Sequence, residues 1–339
     1  MRIQSLRFAL TTCVAAASLA ACGGSQPPIG APAAMPQSGA IAAQRDRGGS
    51  WMLPEAKSSA LLYASDSKND AVVVYSYPAA KQLGELKGFP AEPGGLCSGA
   101  SGDIFVTTQG SKGSQGQSFV YEYAHGATSP IATLSDPGQA SGCAVDPSSG
   151  NLAVANYFGP SEAVGEIAVY QDAKGTPTTY RPPVSTRFLF CTYDDAGNLF
   201  ASEPGQDIAE LPNGGNALTQ IELSKDIDSD SIQWVGKRLL IAEMTGPNGA
   251  NSLYPVRVSG STGTVYSPIT LSSGDRSAAG FVQFLVQKNT IIGAGRRYQS
   301  VNGLLQFWKY PQGGLTTKVI RPQNRRSFFG FAVSPAPSR

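Results

Sequence analysis

Histidine is almost absent: His125 is the only one in 339 residues. A histidine-rich zinc site is thereby excluded, and acid–base chemistry would have to rest mainly on carboxylates. Charge is also scarce, at 15% of residues with a net charge of +2. So weak a field argues against nucleic acid or an anionic membrane surface as partner. The doublets Arg296-Arg297 and Arg325-Arg326 read as solvated turns. No long segment carries the apolar spacing of an amphipathic helix. No glycine-rich phosphate loop, nucleophile elbow or zinc-spaced Cys/His set is present. The apolar run Phe8–Ala21 is too short for a typical membrane span.

What the chain has in abundance is turns, with 39 glycines and 24 prolines, and a repeat between them. GLCSGASGDIFVTT (Gly95–Thr108), GCAVDPSSGNLAVAN (Gly142–Asn156) and FCTYDDAGNLFASE (Phe190–Glu203) each read strand, turn, strand. Gly102-Asp103, Gly150-Asn151 and Gly197-Asn198 supply the tight turns. Weaker copies run Ser231–Glu243 and Phe281–Gly295. The second strands align at Ala64, Val106, Val154, Ala201, Ile241 and Gly293, at spacings of 42, 48, 47, 40 and 52 residues. That is the length of a four-stranded blade, and the pattern predicts an all-β fold, a six-bladed β-propeller. Third strands follow, and fourth strands are expected at 81–86, 130–134, 178–181, 218–223, 264–271 and 316–320. The first unit opens on a second strand, LLYASD from Leu61, and lacks a first. FFGFAVSP from Phe328 matches the missing piece, so the C-terminal strand is expected to close the first blade. Nothing in Ser50–Ala60 alternates to make another repeat.

Three regions are expected: a signal segment over 1–21, a flexible tether over 22–50 and the propeller over 51–339. Arg2 and Arg7 precede the apolar run, which ends Leu19-Ala20-Ala21-Cys22. This order resembles the bacterial lipoprotein box. The resemblance implies lipidation of Cys22 and cleavage before it. Gly23 follows, not Asp, so the usual inner-membrane retention signal is missing, and the expected address is the outer membrane if the host has one. The Gly, Pro, Ala, Ser and Gln composition from Gly23 to Ser50 suits a mobile tether.

Cys97, Cys143 and Cys191 remain, each on a predicted first strand. Counted from the following corner (Gly99, Asp146, Asp194), Cys143 and Cys191 share a register and Cys97 takes the opposite one. Only Cys97 and Cys143 can then face each other across a gap between blades. A disulfide between them and three buried free thiols are both open, since inner strands can sit too far apart to bridge.

The repeat resembles the NHL and YncE-like propellers and, more distantly, the gluconolactonase and virginiamycin B lyase propellers. The resemblance covers Leu61–Pro335 and is strongest in the Gly95 and Gly142 motifs. It implies fold more than activity. In gluconolactonase-like chains, Glu, Asn and Asp beside the inner strands hold a metal at the axis. The matching positions here are Gly94-Gly95, Ser141-Gly142, Leu189-Phe190, Asp230-Ser231, Ala279-Gly280 and Phe329-Gly330, of which only Asp230 could be a ligand. The lyase-like chains use a histidine base. His125, in a turn between outer strands, is expected to be exposed.

The remaining candidate for chemistry is the set of second-strand ends, including Asp66, Asn156, Glu203 and Glu243. Repeat geometry puts them at one height, where they could form a polar collar at a channel mouth and hold Ca²⁺. Alternatively, each caps its own loop. Loops 109–117 and 157–164 follow second strands and are expected to project from one face. The sequence therefore points to a monomeric envelope lipoprotein without a cofactor. Its scaffold would bind a protein, a glycan or an envelope component. A metal-assisted lactonase or hydrolase using Asp66, Glu203 and Glu243 is the alternative.

Overall fold

The computed structural model describes residues 48–110, 118–160, 164–182, 186–205, 208–243, 251–273, 282–297, 300–322 and 326–338, all within the compact unit spanning 37–339. Cys22, the signal segment and the tether up to residue 47 lie outside the described residues, as do 111–117 and 161–163 of the two loops and Arg325.

The chain folds as an all-β propeller, and among the described residues its antiparallel strand pairings fall into six groups built on a four-strand pattern. The first is Phe328–Ser334, Leu61–Asp66, Ala71–Ser76 and Gln82–Leu86. The next three are Pro93–Ser98 to Ala132–Asp136, Ala140–Val145 to Thr178–Tyr180, and Cys191–Tyr193 to Thr219–Leu223. The last two begin at Ser229–Val235 and Phe284–Gln287. The count is compatible with six blades, numbered here in that order. The six first strands neighbour one another in sequence around a ring, and Phe284–Gln287 meets Phe328–Ser334 to close it. Closure comes from the C-terminal strand, in register Leu61 with Ser334, Tyr63 with Ala332 and Asp66 with Phe328. Apolar side chains on both faces of the second and third strands fill the seams between blades; Leu61 to Ala64 and Val72 to Val74 are wholly buried.

Two features depart from expectation. The fifth blade does not have one fourth strand over 264–271 but two short ones, Thr262–Val265 and Ile269–Ser272. Both pair with Asn251–Ser259, leaving Tyr254 and Pro255 outside the register there, with the Pro255 carbonyl accepting from the Tyr266 N–H at 2.9 Å. Pro268 lies in the gap, and neither it nor Pro255 has an N–H for the ladder. Each half-strand instead adds parallel to a neighbouring blade: Thr262–Val265 to Thr219–Leu223, and Ile269–Ser272 to Gly313–Ile320. In addition, Trp51–Met52 forms a fifth, outermost strand on blade one, pairing Trp51 with Glu85. A two-residue strand has no alternation to read.

Candidate functional site

The axis of the ring is occupied. Register aligns Gly330, Gly95, Gly142, Phe190, Ser231 and Gln283 at one level of the six inner strands, opposite Ser65, Thr107, Ala155, Ser202, Ala242 and Ala294. The sixth member is Gln283, not Ala279-Gly280, which lie outside the described residues. The three glycines let their strands touch. A Cβ on Gly330 would sit 2.6 Å from the Gly95 Cα, and one on Gly95 would sit 2.7 Å from the Gly142 Cα. Into the space so left, larger side chains reach from the opposite half. A Cβ on Gly142 would lie 2.5 Å from the Phe190 ring, which also faces Phe329 at 5.8 Å across the ring. Gln283 spans from blade six to blades one and two. It donates to the Leu96 carbonyl at 3.0 Å and the Phe331 carbonyl at 3.3 Å, and it accepts from the Phe331 N–H at 3.0 Å. An amide and two aromatic rings thus stand where the gluconolactonase resemblance would put a metal.

The second-strand ends lie in separate surroundings. Asp66 is wholly buried; one carboxylate oxygen accepts from Arg326 at 2.9 Å and from Asn69 at 2.6 Å, the other from the Ser327 N–H at 2.9 Å. Arg326 also donates to Glu85 at 3.0 Å. Arg326 is therefore no solvated turn residue: its side chain is 7% exposed and bridges two carboxylates. Burial alone would lower its pKa, but Glu85 and Asp66 together hold it above the ordinary value. Glu203 is buried and accepts from Gln220 at 3.2 Å. Glu243 is half-buried and accepts from the Tyr254 hydroxyl at 2.9 Å, to which Lys225 also donates at 3.3 Å. Asn156 is buried in the seam between blades two and three. Asp230 is buried too, and its carbonyl accepts from Ser202. Among the described residues, no group of three or more His, Cys, Asp or Glu side chains is placed to hold a metal ion.

His125 is half-buried, not exposed. Nδ1 lies 2.6 Å from Ser334 Oγ and Nε2 lies 3.1 Å from the Ala56 carbonyl. The cause is the short 3-10 turn Pro54–Ser58, which covers the blade-two turn and which the sequence reading had left without structure. Cys97 and Cys143 are joined by a disulfide across the seam between blades two and three, with Cα atoms 5.6 Å apart. Cys191 is a buried free thiol whose pKa burial pushes up to about 12.

The described part of the 157–164 loop carries a surface cluster. Tyr157 and Phe158 stand edge to face at 4.9 Å, and the Arg187 guanidinium covers both rings at 4.9 and 4.7 Å. Arg187 also donates to the Tyr157 hydroxyl at 3.0 Å. Sequence reasoning found the loop but missed Arg187, 30 residues further on in the next blade's entry segment. It likewise missed Arg326 and Gln283, whose partners are far away in sequence.

No family profile matches the chain. No curated protein matches it either. Solved structures do. A protein of unknown function from Bacteroides caccae matches with a TM-score of 0.61 at 11% identity, over 82% of this chain and 99% of that one. A chain of the nidogen/laminin complex matches at 0.56 and 8% identity, over 82% and 100%. The β-propeller domain of Cps50 (Swd1) from Myceliophteria thermophila matches at 0.51 and 12% identity, over 81% and 86%. At such identities the likeness establishes the fold alone.

Proposed function

We propose that this chain is an exported lipoprotein, held to the cell envelope through Cys22, whose propeller is a non-catalytic scaffold of the NHL or YncE-like kind. It binds a protein, glycan or envelope component as a monomer. The observation that carries the reading is the filled axis. Gln283, Phe190 and Phe329 occupy the place a propeller hydrolase would give to its metal and substrate. Recognition then falls to loops on a rigid ring. Tyr157, Phe158 and Arg187 form the best-defined surface there, an aromatic and guanidinium group of the kind that dominates binding energy at interfaces.

The test is direct binding of the purified chain to fractionated envelope components: peptidoglycan, lipopolysaccharide or teichoic glycans, and membrane proteins. A lactone and ester hydrolysis panel runs in parallel. Saturable binding to one fraction, weakened at least tenfold by Arg187→Ala together with Tyr157→Ala, is the expected result. Turnover of a lactone or ester that Glu243→Gln abolishes would overturn it. Mass spectrometry of the exported protein is expected to find a lipid on Cys22, and Cys22→Ser is expected to release the protein from membranes.

A further inference from the structure

The seam between blades two and three contains a knot of buried polar groups that the fold leaves unsatisfied. Asn156 ends the second strand of blade three, and Glu166 is its direct partner on the third strand, so the two side chains share the face turned to blade two. Asp136 meets them from the last strand of blade two. All three residues are at most 1% exposed. Asp136 is held by the Tyr170 hydroxyl at 2.9 Å and the Gly138 N–H at 3.1 Å. Among the described residues, Glu166 has one cation near it, Arg181 at 3.7 Å, whose own side chain is 67% exposed and so screened by water. Among the described residues, Glu166 Oε1 has no hydrogen-bond partner, and the Asn156 amide, turned to Asp136, makes no close, well-aligned hydrogen bond.

Two buried carboxylates facing one exposed arginine leave negative charge without compensation, and each unpartnered buried polar atom costs of order 1–3 kcal/mol. The backbone above packs closely over these side chains, and glycine is what allows it. A Cβ on Gly138 would stand 2.7 Å from the Asn156 side-chain carbonyl carbon, and one on Gly159 would stand 3.4 Å from Glu166 Oε2.

We propose that Asp136, Asn156 and Glu166 bind a hard divalent cation of the calcium class in this seam, beneath the backbone that carries Tyr157 and Phe158. Two carboxylates and an amide carbonyl oxygen, completed by water, are the kind of ligands Ca²⁺ takes. The site stands whether or not the loop above recognises a partner.

The purified chain, stripped with EDTA, is titrated with Tb³⁺ and then with Ca²⁺. The Tyr170 ring, hydrogen-bonded to Asp136, is placed to sensitise Tb³⁺ emission. One Tb³⁺ per chain, displaced by Ca²⁺, and a melting temperature that rises with Ca²⁺ are expected. Glu166→Gln, which keeps shape and gives up one charge, is expected to weaken binding at least tenfold and Asp136→Asn further. If Asp136→Asn does not fold, Glu166→Gln decides. Absence of sensitised emission and of any melting shift at about 10 mM Ca²⁺, above the roughly 10⁻⁴–10⁻³ M range of extracellular calcium modules, would overturn the site in favour of bound water. So would binding that survives Glu166→Gln and is lost in Glu243→Gln.

Discussion

Blades one to three and blades four to six hold the same ring together by different means. In the first half the inner strands press against one another through Gly330, Gly95 and Gly142, and hydroxyls lace the seams. Ser65 donates to the Gly94 carbonyl at 2.6 Å, and Thr107 donates to that of Ser141 at 3.0 Å. The Cys97–Cys143 disulfide adds a covalent link. In the second half the same level carries Phe190, Ser231 and Gln283; one hydroxyl still crosses, Ser202 to the Asp230 carbonyl at 2.9 Å, and side-chain amides replace close backbone contact elsewhere. Gln233 donates to the Val286 carbonyl at 3.2 Å and accepts from its N–H at 2.6 Å. The stitching there moves outward, to parallel pairings between the outer strands of blades four, five and six. One half is joined at its centre by close backbone contact, the other by side chains at its centre and by strand pairing at its rim. The asymmetry follows from residue size: where small residues let backbones meet, the seam closes at the axis, and the larger residues opposite fill the axis itself.

The sharpest way to break this arrangement is at the junction, where the closing strand enters blade one. Arg326→Met leaves Asp66 and Glu85 buried with their shared cation gone. Loss of one partner from a buried ion pair costs about 3–5 kcal/mol. Urea denaturation of the variant should show that loss as a lower midpoint. Unchanged stability would mean that Asp66 is satisfied without Arg326. Next comes the covalent link. The Cys97→Ala, Cys143→Ala pair opens a loop with a sequence separation of 46, for which the chain-entropy relation gives about 4 kcal/mol. The loss should disappear when wild type and variant are compared under reducing conditions.

The closeness of the centre has its own test. Gly95→Ala places a methyl 2.7 Å from the Gly142 Cα and 2.8 Å from the Ser141 carbonyl, both backbone atoms that cannot turn aside. Overpacking of this kind costs about 1–3 kcal/mol. Ser231→Ala, at the same level in blade five, removes only a hydroxyl 3.5 Å from the Phe284 N–H. It should cost under about 1 kcal/mol. Equal losses at the two positions would erase the distinction between the halves.

What the sequence makes legible is whatever repeats. Strand alternation, the Gly-Asn and Gly-Asp turns and the FFGFAVSP strand are local signals, and together they are enough to read the propeller and the closing partner of Leu61–Asp66. What escapes is whatever breaks the repeat or acts across it. Pro268 splits a fourth strand that looked continuous. Gln283 escaped because its partners Leu96 and Phe331 lie far from it in sequence and no local pattern marks it. Arg326 binds Asp66 across a separation of 260 residues, and no local pattern announces that. The cluster at Asp136, Asn156 and Glu166 combines two blades. Asn156 alone was singled out, because only it sits at a repeating position.

The disulfide offers the smallest and most specific prediction. Cys143 points its sulfur at the Phe105 carbonyl at 3.9 Å, and Phe105 is the register partner of Cys97. One blade later the same relation recurs: Cys191 points at the Ala153 carbonyl at 3.7 Å, and Ala153 is the register partner of Ala144. Ala144 therefore stands to Cys191 as Cys97 stands to Cys143. Ala144→Cys should form a second cross-link, from blade three to blade four, detected as a disulfide-linked peptide joining position 144 to Cys191. The gain in stability should be modest, about 1 kcal/mol, since engineered links seldom deliver their full entropic effect. Failure to oxidise would show that the tight packing of the first half stops at blade three and that Phe190 already holds the next seam apart.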